Sequence, residues 1–362
     1  MSQWLQRVWE GNTVYEEAVC FLQDGDHMTG GDLLYAPDKI LKVTDAEGSC
    51  VYEEDKDYTI SGKRLVRTTT SNIPIIQKDA CLVPFTGEKD KEWLRIKGGE
   101  KYYKIFPEIV EYQVLVTYQH NEVWDGTIPE NISALLPRTM RRLKEKEPLN
   151  LVFYGDSITA GWEASGCDEH VIDMATLEEF HNYSHQPPYM PAWPTMVTEA
   201  IMEYYDDKDI TKVNLGAGGS TAAWGDINAD KLVNHHNPDF VILAFGMNNL
   251  QDEPDKFERE IRGIITTIRG QNPNCEFLLL SPMIANSEIE ALADNKLPKH
   301  EEVLYQLQSS MIGVAAAPIN SMFREIARKG KQYFDITGNC INHPNDFSVR
   351  IYAQTVLSAL GI

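Results

Sequence analysis

Five short apolar runs constrain this chain most: LNLVFYG (149–155), TKVNLGAG (211–218), DFVILAFG (239–246), CEFLLLSP (275–282) and GVAAAPIN (313–320). They are short and near-continuously apolar, so they read as strands of a sheet covered on both faces. Helical patterns separate them: PTMVTEAIMEYYDD, WGDINADKLVNHH, PDKFEREIRGIITTIRGQ and KHEEVLYQLQSSM, with SVRIYAQTVLSALGI closing the chain. Two covered faces and an alternating order predict a parallel, doubly wound α/β sheet of the flavodoxin-like kind over residues 148–362.

The first 136 residues have another texture. DLLYAPDKILKVTDAEGSCVYEEDKDYTISGKRLVRTT carries short apolar runs broken by turn signals, and EYQVLVTYQH alternates and is rich in β-branched and aromatic residues. This predicts a separate antiparallel β-sandwich domain, jelly-roll-like, over residues 1–136. The polar, basic stretch 137–147 reads as a linker.

Composition narrows the function. At 362 residues and 43% hydrophobic, the chain can build two cores. A net charge of −21 repels phosphate backbones and anionic lipid, so neither nucleic acid nor membrane is an expected partner. No apolar stretch reaches membrane-spanning length, and the N-terminus has no signal-peptide pattern, so a cytoplasmic location is expected. The six scattered cysteines read as free thiols, and no spacing suggests a metal or other cofactor.

In an open α/β sheet, sites form beyond the carboxyl ends of the strands. Three of those ends carry conspicuous sequence: Gly155-Asp156-Ser157-Ile158-Thr159, Asn214-Leu215-Gly216-Ala217-Gly218-Gly219-Ser220-Thr221 and Gly246-Met247-Asn248-Asn249. Asn342-His343-Pro344 precedes the last helix. These are the parts of an acyl transfer. Ser157 is a hydroxyl nucleophile that needs a base, and His343 is the candidate base. The backbone N–H at Gly219 and the Asn248 amide are candidate oxyanion donors. Asp156 reads as a turn former. Ser220, between a strand and a helix, is a rival nucleophile that would leave GDSIT unexplained.

Ser157 in GDSIT, Gly219 in NLGAGGST, Asn248 in GMNN and His343 in NHPND resemble, in order and spacing, the four blocks of the SGNH (GDSL-type) hydrolases. A preceding β-sandwich is similar to the carbohydrate esterase family 2 arrangement. The resemblance implies Ser157 as nucleophile, His343 as base and then acid, an oxyanion hole from Ser157, Gly219 and Asn248, and no cofactor. It implies hydrolysis of small O-acyl esters, most simply acetyl, on a carbohydrate. A lysophospholipase or thioesterase-type acyl hydrolase and a catalytically impaired carbohydrate-binding relative are the alternatives; homo-oligomerisation stays open.

One position departs. The family places Asp three residues before its histidine, and here that residue is Cys340. Three supports for His343 remain: a main-chain carbonyl, which is favoured; Asp335 in FDITGNC; or a side-chain oxygen of Asn339 or Asn342. On the substrate side, the long insertion GWEASGCDEHVIDMATLEEFHNYSHQPPYMPAW follows Ser157. Its Trp162, Tyr189 and Trp193 are candidate sugar contacts.

Overall fold

The computed structural model describes residues 3–362. In the N-terminal region, β1 (Thr13–Cys20), β2 (Lys39–Asp45) and β3 (Gln113–Gln119) form an antiparallel sheet with β3 in the centre. The register of β1 against β3 shifts between Val14 and Glu17, where Glu16 adopts a positive φ, the signature of a bulge. Shorter ladders surround this sheet. One is the hairpin Tyr58–Ser61 with Arg64–Arg67, turning at the ISGK signal.

The linker stretch is largely helical: α1 spans Pro137–Glu145, with proline at its first turn. The sheet that follows is parallel throughout. Its strands are β4 (Leu149–Gly155), β7 (Ile210–Gly216), β8 (Phe240–Ala244), β9 (Glu276–Leu280) and β10 (Val314–Ala317). They lie in the order β7-β4-β8-β9-β10. The chain moves from β4 to one neighbour and then crosses to the other, so the carboxyl ends of β4, β7 and β8 meet at a switch point.

Side chains alternate across β4. Val152 and Tyr154 join the core under α3 (Ala222–Leu232), α4 (Pro254–Gln271) and α5 (Leu297–Ser310). Leu151 and Phe153 face α2 (Trp193–Tyr205), α6 (Ile319–Arg328) and α7 (Asp346–Leu360). The insertion after Ser157 is not irregular. It folds back as a hairpin, β5 (Asp168–Ile172) with β6 (Glu179–Tyr183), tied to the switch point by a bridge between Ile172 and Ala217.

Helix α7 explains how the two regions meet. Asn345 caps it by accepting the Ser348 N–H at 3.0 Å, and every residue from Phe347 to Leu360 is buried. One side packs on the sheet. The other lies under the N-terminal region, where the Arg350 guanidinium donates to the carbonyls of Tyr15 and Glu16 and Gln354 bonds three backbone groups between Trp4 and Val8. A second seam is the buried Lys331 ammonium, 3.0 Å from Glu17 and 3.5 Å from Asp335, with the carbonyls of Ala18 and Asp32 as further acceptors.

Candidate functional site

Ser157 follows directly from the buried end of β4. Gly155 there allows close packing, because a Cβ at this position would meet the Ala244 carbonyl at 2.4 Å. The Asp156 carboxylate accepts the N–H of Ile158 at 3.0 Å and of Met247 at 3.3 Å, so it fixes the serine turn and joins it to the loop after β8. Burial raises this carboxyl to about 6 despite those donors.

His343 Nε2 lies 2.9 Å from Ser157 Oγ, within hydrogen-bond reach. Its loop is held by one side chain: Asn339 Oδ1 accepts the N–H groups of Ile341, Asn342 and His343. Asn339 thus positions the backbone rather than the ring.

The ring is oriented by a residue the sequence reading did not single out. Glu163 Oε1 stands 3.3 Å from His343 Nδ1, and neither a main-chain carbonyl nor Asn342 occupies that place. Gly338 permits the approach, since a Cβ there would fall 2.7 Å from the Glu163 Cβ. The expectation for Asp335 is corrected. Its carboxylate accepts the N–H of Cys20 at 2.7 Å and of Gln332 at 2.8 Å and faces Lys331, which makes it part of the seam between the two regions. The departure at Cys340 was the available signal for Glu163. With no acid at that position, the support comes from elsewhere, and GWEASG places a carboxylate six residues after the serine.

Three donors near the Ser157 hydroxyl have no protein acceptor among the described residues: the backbone N–H of Ser157, that of Gly219 and one N–H of Asn248. Gly219 is exposed and has φ +79°, a conformation glycine reaches without strain. Asn248 spends its other N–H on the Ser220 carbonyl at 2.9 Å, which fixes the amide plane. Ser220 is fully buried, its hydroxyl on the carbonyl of Ala217 at 2.8 Å, so the rival nucleophile has no access to solvent.

Of the aromatic candidates, Trp162 is 41% exposed and its indole centroid lies 6.3 Å from the His343 ring. Tyr189 is exposed and sits against His185, beyond the hairpin. Trp193 is corrected: it begins α2, is wholly buried against Phe153 and Tyr352, and donates its indole N–H to the Ile158 carbonyl at 3.0 Å. A cavity of about 590 Å³ lies beside the triad, with Trp162 and Glu163 in its wall.

Residues 153–351 match the GDSL-like lipase/acylhydrolase family, and the chain belongs to it. Over 103 residues it is 29% identical to an arylesterase of Vibrio mimicus, a match covering 28% of this chain and half the length of that relative. Among solved structures, a two-domain esterase active on acetylated mannans is 22% identical, with a TM-score of 0.46 over 62% of this chain and 53% of that one. An acetylxylan esterase of Geobacillus stearothermophilus, solved as a catalytic mutant, is 18% identical, with a TM-score of 0.45 over 59% of this chain and 94% of that one. Among the described residues, no helix is long and apolar enough to cross a membrane.

Proposed function

We propose that the protein is a serine esterase that removes small O-acyl groups, acetyl above all, from a carbohydrate. The single observation that carries this reading is the alignment of Ser157, His343 and Glu163 in one hydrogen-bonded line at the switch point. His343 takes the proton of Ser157 Oγ as the oxygen attacks the ester carbonyl. The tetrahedral oxyanion finds the uncommitted donors of Ser157, Gly219 and Asn248. His343 then hands the proton to the leaving sugar oxygen, which leaves an acyl-serine. Water, deprotonated by the same ring, releases the carboxylic acid and restores the serine. Glu163 holds the ring with Nε2 toward the serine and stabilises the imidazolium in both halves.

Glu163 also counts against the reading of an impaired relative, which rested on the missing acid at Cys340. Support for a sugar substrate comes from the exposed face of Trp162 beside His343 and from the net charge of −21, which suits a neutral partner. The test is a series of p-nitrophenyl esters from acetate to decanoate, with acetylated oligosaccharides beside them. Highest kcat/KM on acetate, and acetate release from the oligosaccharides, are expected. A maximum at eight carbons or more sinks the small-acyl reading in favour of a lipase-like or thioesterase-like one.

A further inference from the structure

We propose that the cavity beside the triad is a second binding site, taking a neutral saccharide unit of the substrate and excluding anionic sugars. It rests on the esterase reading for its purpose, though its occupancy can be measured without turnover.

The cavity lies at the seam between the two regions. One wall comes from the end of β2 and from Val110 and Glu111 before β3; the other comes from the turn after Ser157 and the start of α7. At about 590 Å³ it falls in the range of roughly 300–1,000 Å³ typical of small-molecule sites. Among the described residues its lining includes five carboxylates, Asp45, Glu47, Glu111, Glu163 and Asp346, and no lysine, arginine or histidine. Such a wall accepts hydrogen bonds and repels negative charge. A neutral saccharide suits it, because every hydroxyl can donate and none carries charge.

Trp162 supplies continuity. It lines the cavity, and its ring also neighbours His343. A sugar chain whose ester lies at Ser157 therefore passes over the indole and places its next unit among the carboxylates. Glu163 belongs to both places, with one oxygen on His343 and its side chain in the cavity wall.

The test uses the whole chain and unacetylated probes. Xylotetraose, mannotetraose, cellotetraose and trigalacturonic acid are titrated calorimetrically into wild type, Val110→Trp, which fills the cavity from the N-terminal wall, and Glu111→Lys, which adds a cation to it. At least one neutral tetrasaccharide is expected to bind wild type at least tenfold more tightly than trigalacturonic acid. Val110→Trp is expected to weaken that neutral ligand at least tenfold and to leave kcat/KM on p-nitrophenyl acetate within twofold. Glu111→Lys is expected to narrow or reverse the preference against the acid. Absence of binding by all three neutral probes, or unchanged binding in both variants, overturns the proposal. Saccharide binding without p-nitrophenyl acetate turnover would instead retain the site and remove the esterase reading.

Discussion

Replacing Glu163 by glutamine isolates the support behind His343, the proposed general base. The substitution keeps the size of the side chain and removes its charge. At 3.3 Å from His343 Nδ1, a full charge is worth about 1.3 kcal/mol to an imidazolium at the dielectric of water and about 5 kcal/mol at an effective dielectric of 20. The two side chains are 16% and 13% exposed, so the environment lies between these limits. A loss of about 2–4 kcal/mol in the transition state corresponds to a fall in kcat of roughly 30- to 900-fold. KM on p-nitrophenyl acetate should change little, because the charge acts only when the imidazolium forms. Glu163→Asp should recover part of the rate. Asp335→Asn supplies the contrast: it disturbs the buried Lys331 seam and should lower Tm rather than the rate of the folded enzyme. Stopped-flow kinetics on the three variants, with melting curves beside them, decide the matter. If Glu163→Gln keeps kcat/KM within threefold of wild type while Asp335→Asn loses rate at unchanged Tm, the assignment of Glu163 is wrong.

Further outcomes follow from the same geometry. Ser157→Ala should reduce ester hydrolysis to background with Tm preserved, and no acyl adduct should appear in the intact mass after a brief exposure to substrate. Asn248→Ala should cost roughly 100- to 1,000-fold in kcat, read by steady-state kinetics. Gly338→Ala should displace both the Glu163 side chain and the Pro344 carbonyl next to His343 and lower kcat, an effect that should persist in part in the Glu163→Gln background. For Asp156, the folded carboxyl stands near 6 against an unfolded value of 3.8, so its contribution to stability is full below about pH 4 and is lost as the pH rises through 6. The unfolding free energy of Asp156→Asn minus that of wild type should therefore rise by about 2.4 kcal/mol between pH 4 and pH 7, measured by urea titration.

The parts of this molecule legible in the sequence are those encoded by local pattern. Parallel strands buried on both faces announce themselves as continuous apolar runs, and β4, β7 and β8 end where the polar motifs begin. Ser157, Gly219 and Asn248 were visible because each sits at such an end, and His343 because it directly precedes the last helix. Glu163 was not, because its role depends on a turn after β4 meeting a loop before α7, and no spacing along the chain encodes that meeting. Trp193 failed for a related reason. An aromatic residue at the end of an irregular-looking segment looks exposed, yet it starts a helix and packs on Phe153 and Tyr352. Asp335 attracted attention by its nearness in sequence to His343, while its partner Lys331, four residues before it, bonds carbonyls of the N-terminal region.

The burial of α7 on all sides has an engineering consequence. In an ordinary doubly wound sheet, an outer helix keeps a wet face, and the catalytic unit can be cut free of its neighbours. Here that face is buried and holds Arg350 and Gln354 against backbone groups of the first twenty residues. A fragment beginning near residue 137 would present this helix to water, and its own His343 loop, which leads into α7, would lose its anchor. The chain should thus melt in one cooperative transition, and its catalytic half should be transplanted into a chimera only with its covering in place.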